Sequence, residues 1–285
     1  MSLLKVTVER DVIYSRPLGY WASAPVWETG TVLRLLPLLV RRRSLELKMD
    51  IYLPEDDGVA RRPLLLMMHG GSYFVGNKSE KGQALWCEYF ASLGYVAASV
   101  DYRLGFRPTR TDFSAAEDRA LEDVEAALAY LLRREDVRID PDCLFAAGTS
   151  AGAMLALRLA FRRGGPRIRA IANCWGAVHD LGILELADTA ILSFQSPSDP
   201  VMPYGRGYPF RTGNGGFRLP SHWVSREMFG TGAIHQRALE LGLRAEHHRF
   251  PEPRHRLHLD DAGNCTPRFF EIRDRMEAFF QPFLN

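Results

Sequence analysis

Ser150 stands in the pentapeptide Gly-Thr-Ser-Ala-Gly at 148–152, inside the stretch FAAGTSAGAMLALRLA. A serine hydroxyl is a poor nucleophile near neutral pH and attacks a carbonyl only when an adjacent base takes its proton. Glycines two positions before and after it suit a turn too tight for larger side chains. The same residues also fit a serine that simply caps a helix. The flanking segments decide between these readings. CLFAAG (143–148) is a short apolar run of the kind a buried strand shows, and AGAMLALRLAF (151–161) reads as a helix, so Ser150 falls on a strand-to-helix turn.

Acyl transfer by such a serine also needs a histidine, an acid to orient it and amide donors for the developing oxyanion. Two histidines in PEPRHRLHLD, His255 and His258, are candidates for the base, and Asp199 and Asp180, each just past an apolar run, for the acid. HGGS (69–72) ends another apolar run, where Gly70 and Gly71 allow close approach of backbone to a ligand. His247 and His248 are adjacent on a strand and face opposite sides, so they cannot share one metal. The histidines at 179, 222, 235, 247 and 248 read as surface or loop residues, and no metal site is expected.

From residue 44 onward strand-like and helix-like patterns alternate, which signals an α/β fold with a mostly parallel sheet and helices on both faces. Strands are expected at 45–53, 63–69, 95–103, 143–148, 168–176, 189–196 and 244–250. Helices are expected at 81–94, 114–134, 151–161, 231–243 and 269–284. Only VHDLGILELADT separates 168–176 from 189–196, too little for a large lid. Two segments break the alternation, 16–43 and 199–230. Both read as cap or pocket loops; in the second, Tyr204, Tyr208, Phe210, Phe217 and Trp223 could wall a pocket, but most of them are expected to bury the loop onto the domain instead.

Five blocks in order, HGGSYFVGNKS (69–79), SVDYRLG (99–105), AGTSAG (147–152), SPSDPVMPYG (196–205) and FPEPRHRLH (250–258), resemble the α/β-hydrolases, specifically their carboxylesterase and hormone-sensitive-lipase-like branch. The resemblance covers about residue 44 to the end and implies a single α/β-hydrolase domain. It implies Ser150 as nucleophile, His255 as base, Asp199 as acid, and the amides of Gly71, Ser72 and Ala151 as the oxyanion hole. Ser72 replaces a frequent third glycine of the family, and Arg254 replaces the glycine before the histidine. His69 is expected to position its loop, and Asp101, Tyr102 and Arg103 to brace it through a buried Arg-carboxylate pair. His258 and Asp180 remain the competitors.

The implied activity is hydrolysis of a small-molecule carboxylic ester through an acyl-enzyme, with no cofactor. The alternatives are a feruloyl, aryl or polyester esterase, a peptidase-type hydrolase, and an inactive ligand-binding relative. The near balance of 36 basic and 34 acidic residues gives no field for nucleic acid. Four cysteines, at 87, 143, 174 and 265, have no metal or disulfide spacing, and three lie in apolar surroundings that suit buried thiols. No stretch is long enough to span a membrane, and MSLLKVTVERDVIY lacks the apolar core of a signal peptide, so the chain reads as cytoplasmic or as a mature secreted form whose leader has been removed. The segment 16–43 could alternatively form a homodimer or membrane contact.

Overall fold

The computed structural model describes residues 3–24, 41–55, 58–107, 109–210 and 225–284. Eight strands form one open sheet: β1 (Val6–Ser15), β2 (Leu47–Pro54), β3 (Arg62–Met68), β4 (Val96–Val100), β5 (Ile139–Thr149), β6 (Ile168–Cys174), β7 (Ala190–Gln195) and β8 (Ala245–Arg249). Their spatial order is β1-β2-β4-β3-β5-β6-β7-β8. The contacts from β4 through β8 are parallel, and β2 runs antiparallel to both β1 and β4.

Among the described residues the helices are α1 (Lys81–Ser92), α2 (Arg110–Leu132), α3 (Ala151–Ala160), α4 (Thr231–Glu240) and α5 (Pro267–Phe280). The period-two geometry of β3 explains how they divide between the faces. Leu64, Leu66 and Met68 join a core with Val124 and Leu128 of α2, Leu155 and Leu159 of α3, and Ile234 of α4. Leu65 and Met67 point the other way and join Trp86 and Phe90 of α1 and Ile272 and Met276 of α5. A strand covered on both faces has no reason to alternate, so PLLLMM reads as an unbroken apolar run.

The N-terminus departs from the sequence reading, which started the fold at residue 44. Residues 6–15 form an antiparallel edge strand on β2, with register shifts between Glu9 and Val12 and between Ile13 and Ser15. Its side chains are at best half-buried, and a half-solvated edge strand leaves a weak signal. Helix α2 begins at Arg110, four residues earlier than expected, because the Thr109 hydroxyl caps it by accepting the Asp112 N–H.

Between β6 and β7 lie only a two-residue strand, Ala177–Val178, and a 3₁₀ turn, Leu181–Leu186, so no large lid is inserted there. That short strand pairs with Met228–Gly230, which pairs in turn with Arg206–Gly207. The described ends of the 199–230 segment are thereby tied to the domain. Of the 16–43 segment, residues 25–40 lie outside the described residues, as do Phe217, His222 and Trp223. Among the described residues no helix is long and apolar enough to cross a membrane. Cys87, Cys143 and Cys174 are buried free thiols.

Candidate active site

Ser150 sits between the end of β5 and the start of α3 with φ 52° and ψ −118°, a conformation a non-glycine residue rarely adopts. Its amide donates to the Cys174 carbonyl at 2.9 Å, which ties the turn to the end of β6. The two glycines are there for space. A Cβ on Gly148 would run into the backbone of Gly152, and one on Gly152 would run into the Met68 carbonyl at the end of β3. Close packing of helix against strand thus holds the serine up at the C-terminal edge of the sheet, and Ser150 does not cap the helix with its side chain.

His255 reaches this edge from the loop after β8, and Asp199 from the loop after β7. His255 Nε2 is 2.8 Å from Ser150 Oγ, and Nδ1 is 2.8 Å from Asp199 Oδ2 and 3.1 Å from Oδ1. An ionised carboxylate only accepts, so Nδ1 carries the hydrogen and Nε2 turns its lone pair to the serine. The Asp199 side chain is fully buried and well held. Its Oδ1 accepts the amides of Val201 and Met202 at 2.7 and 3.0 Å, and its Oδ2 accepts Gln195 Nε2 at 3.3 Å.

The competing residues are engaged elsewhere. Asp180 is exposed and accepts the Gly182 amide at 2.8 Å at the start of the 3₁₀ turn. His258 is buried, with Nε2 3.2 Å from Glu80 and its ring between Trp86 and Trp175. His179, expected on the surface or in a loop, lies in the loop after the short strand Ala177–Val178, largely buried and bonded at 3.0 Å to the carboxylate of Glu117, itself buried on α2. This pairing holds its pKa above the usual value although burial opposes the shift.

The loop 69–76 folds back on itself. Phe74 and Val75 amides donate to the Gly71 carbonyl at 2.9 and 3.1 Å, and Gly71 takes φ 116°, where a Cβ would strike the Val75 carbonyl. The amides of Gly71, Ser72 and Ala151 donate to no acceptor among the described residues. His69 braces this loop from below. Its ring stacks on Tyr102 at 4.2 Å, its Nδ1 meets the Gly70 carbonyl at 2.7 Å, and the Tyr102 hydroxyl donates to its carbonyl at 2.6 Å. Burial lowers the His69 pKa to about 4, so the ring is neutral.

Next to Tyr102, Arg103 Nε donates to both carboxylate oxygens of buried Asp123 at 2.9 and 2.8 Å, and Asp101 accepts the Lys78 amide at 2.7 Å. Residues 21–24 add a brace that the sequence did not disclose. Trp21 Nε1 donates to the Phe74 carbonyl, and Ala24 and Gly76 exchange backbone hydrogen bonds.

A cleft of about 180 Å³ opens at Ser150 and His255, walled by Gly71, Ser72, Trp175 and Phe210. A much smaller apolar slot of about 10 Å³ adjoins Ser150 on the Ala151 side, between Met154, Met202, Met228 and Phe113. Of the aromatics of 199–230 that are described, Phe210 lines the cleft, Tyr204 packs the loop onto the domain by stacking on His247, and Tyr208 is exposed. Sequence reasoning missed Trp175, Glu80 and Gln195. Gln195 and Trp175 carried a faint signal, as polar or bulky residues at the sheet's C-terminal edge. Glu80 stands at the N-cap of α1 yet makes no cap bond there.

An eight-stranded sheet in this order, with a strained serine between β5 and the next helix, defines an α/β-hydrolase, and the chain is one by fold. A family model described as BD-FAE matches residues 49–179. The structure superposes on MGS-M1, an α/β-hydrolase enzyme from a Medee basin deep-sea metagenome library, with a TM-score of 0.62, 17% identity and 99% of each chain covered. Among curated proteins, the non-reducing polyketide synthase nvfA of Aspergillus novofumigatus is 29% identical over 210 residues, 69% of this chain but 8% of the synthase. Gut esterase 1 of Caenorhabditis elegans is 34% identical over 94 residues, 32% of this chain and 17% of that protein. The chain thus spans a small part of the curated relatives it matches.

Proposed function

We propose that the protein is a serine esterase that hydrolyses carboxylic esters with a small acyl group. The observation that carries this reading is the unbroken line of hydrogen bonds from Ser150 Oγ through His255 to Asp199, each 2.8 Å, on a strained turn. The likeness to Gut esterase 1 supports it.

In the proposed reaction His255 Nε2 takes the Ser150 proton as Oγ attacks the ester carbon. The carbonyl pair moves onto oxygen, where the amides of Gly71, Ser72 and Ala151 stabilise it. Collapse expels the alcohol oxygen, which receives the proton from His255. Water then attacks acyl-Ser150 by the same steps and releases the carboxylic acid. Asp199 orients His255 and stabilises its charged form throughout.

The leaving oxygen must lie within reach of His255, which lines the wider cleft and not the apolar slot. The alcohol half therefore belongs in the cleft and the acyl half in the slot. The slot's volume of about 10 Å³ is near that of one water-sized probe, which suits acetyl and little more.

Hydrolysis of p-nitrophenyl acetate, butyrate, octanoate and phenylacetate tests this reading, with covalent labelling by a fluorophosphonate as a second readout. The expected result is a preference for acetate and labelling that disappears in Ser150→Ala. Labelling that persists in Ser150→Ala would remove the serine from its proposed role.

A further inference from the structure

The cleft that receives the alcohol half has an unusual wall. His69, Glu80 and His258 all line it, and each carries a buried polar atom with no partner among the described residues: His69 Nε2, Glu80 Oε2 and His258 Nδ1. The chemistry of the first two is fixed by their neighbours. His69 Nδ1 faces a carbonyl, which only accepts, so Nδ1 holds the hydrogen and Nε2 is a lone pair. The residue is 1% exposed, so water does not readily satisfy it.

Glu80 Oε1 accepts from His258 at 3.2 Å and lies 3.6 Å from Arg256, while Oε2 is left over. Burial alone would raise the Glu80 pKa, but His258 and Arg256 outweigh it and hold the carboxyl below its usual value, ionised. Two unpartnered acceptors on one wall suit a ligand that brings hydrogen-bond donors. Buried acceptors without partners are costly, so a ligand that brings hydrogen-bond donors gains more than its contact area indicates. A carboxylate or phosphate ligand would face the Glu80 charge.

We infer that the wall of His69 and Glu80 is a subsite for the alcohol half of the ester, and that this alcohol carries a free hydroxyl which donates its one hydrogen to Glu80 Oε2. The inference rests on the esterase reading above and deepens it. Specificity then divides at Ser150, with a short apolar acyl group on the methionine side and a hydroxylated alcohol on the glutamate side. Sites built to bond a hydroxyl reject analogues that lack it, because the site's polar atoms are left unpaired.

The test compares kcat/KM for 2-hydroxyethyl acetate with that for propyl acetate, which matches it in length and lacks the hydroxyl, in the wild type and in Glu80→Gln. The expected result is a wild-type preference for the hydroxy ester of about tenfold or more. That ratio should fall toward unity in Glu80→Gln, whose amide removes the charge. Should that variant fail to fold, competition of propane-1,2-diol against 1-propanol in wild-type turnover of p-nitrophenyl acetate reads the same preference, and the diol is expected to inhibit more strongly. Equal rates on the two esters, in a protein that labels with fluorophosphonate and cleaves p-nitrophenyl acetate, would overturn the subsite and leave the esterase reading intact. Absence of both labelling and hydrolysis would overturn the two together.

Discussion

Gln195 Nε2 lies 3.3 Å from Asp199 Oδ2, and both side chains are fully buried. Every contact of the Gln195 amide agrees with one orientation. Its nitrogen faces acceptors, the Asp199 carboxylate and the carbonyls of Met202 and Pro203, and its oxygen accepts from the amide and hydroxyl of Thr231. Gln195 thus fixes where Asp199 points, and through it the tilt of His255. Gln195→Leu should lower kcat about tenfold or more with KM little changed, and should destabilise the fold by about 2 kcal/mol through the unsatisfied Thr231 and Asp199 groups. Steady-state kinetics with urea unfolding measures both. A loss confined to KM would place Gln195 in substrate binding instead.

The two histidines of PRHRLH give a sharper contrast. His255 touches Ser150 and Asp199, whereas His258 is packed between tryptophans and bonded to Glu80. His255→Ala should reduce kcat about a thousandfold or more, as loss of a triad base does elsewhere. His258→Ala should keep the triad and chiefly lower stability, by about 2–3 kcal/mol for the ring removed from the core. Rapid turnover in His255→Ala would reverse the two roles.

Backbone packing at the elbow predicts a third outcome. In Gly152→Ala the new methyl meets the Met68 carbonyl, a backbone atom within β3 that cannot move aside. Destabilisation of about 2–3 kcal/mol is expected, with activity lost in step because Ser150 shifts. Gly205 is the control, because a Cβ there meets nothing within 4 Å among the described residues and its φ is not positive. Gly205→Ala should change stability by no more than about 0.5 kcal/mol. Chemical denaturation of the two variants, side by side, checks both statements.

The sequence disclosed most where one residue type has one physical use. Small residues around Ser150 marked the elbow because only glycine fits between α3 and β3, and the apolar run at 63–68 marked a strand buried on both faces. Strand β1 was hidden because an edge strand need bury only one side, so VTVERDVIY mixes charges with apolar residues. Glu80, Gln195 and the Glu117–His179 pair were hidden for another reason. A buried polar residue is indistinguishable in sequence from a surface one until its partner, here 178, 4 or 62 positions away, is brought beside it.

The last expectation concerns acid stability and its sign. The His69 pKa is lowered by burial from 6.5 to about 4, so the folded state resists protonation that the unfolded chain accepts. Stability from the neutral ring is present above pH 6.5 and is lost as pH falls toward 4, amounting to about 2 kcal/mol between pH 7 and pH 5. Asp101 and Asp123 act oppositely. Burial raises their pKa values to about 7 and about 6, so their contribution is complete below pH 3.8 and is lost as pH rises through the raised values. The wild-type profile is the sum of these opposed trends, and only a difference between variants isolates His69. His69→Asn should therefore be more destabilising at pH 7 than at pH 5, because at pH 5 the wild type has already lost much of what the mutation removes. Urea midpoints of both proteins at the two pH values give that difference, and a penalty that grows as pH falls would show that His69 is charged in the fold.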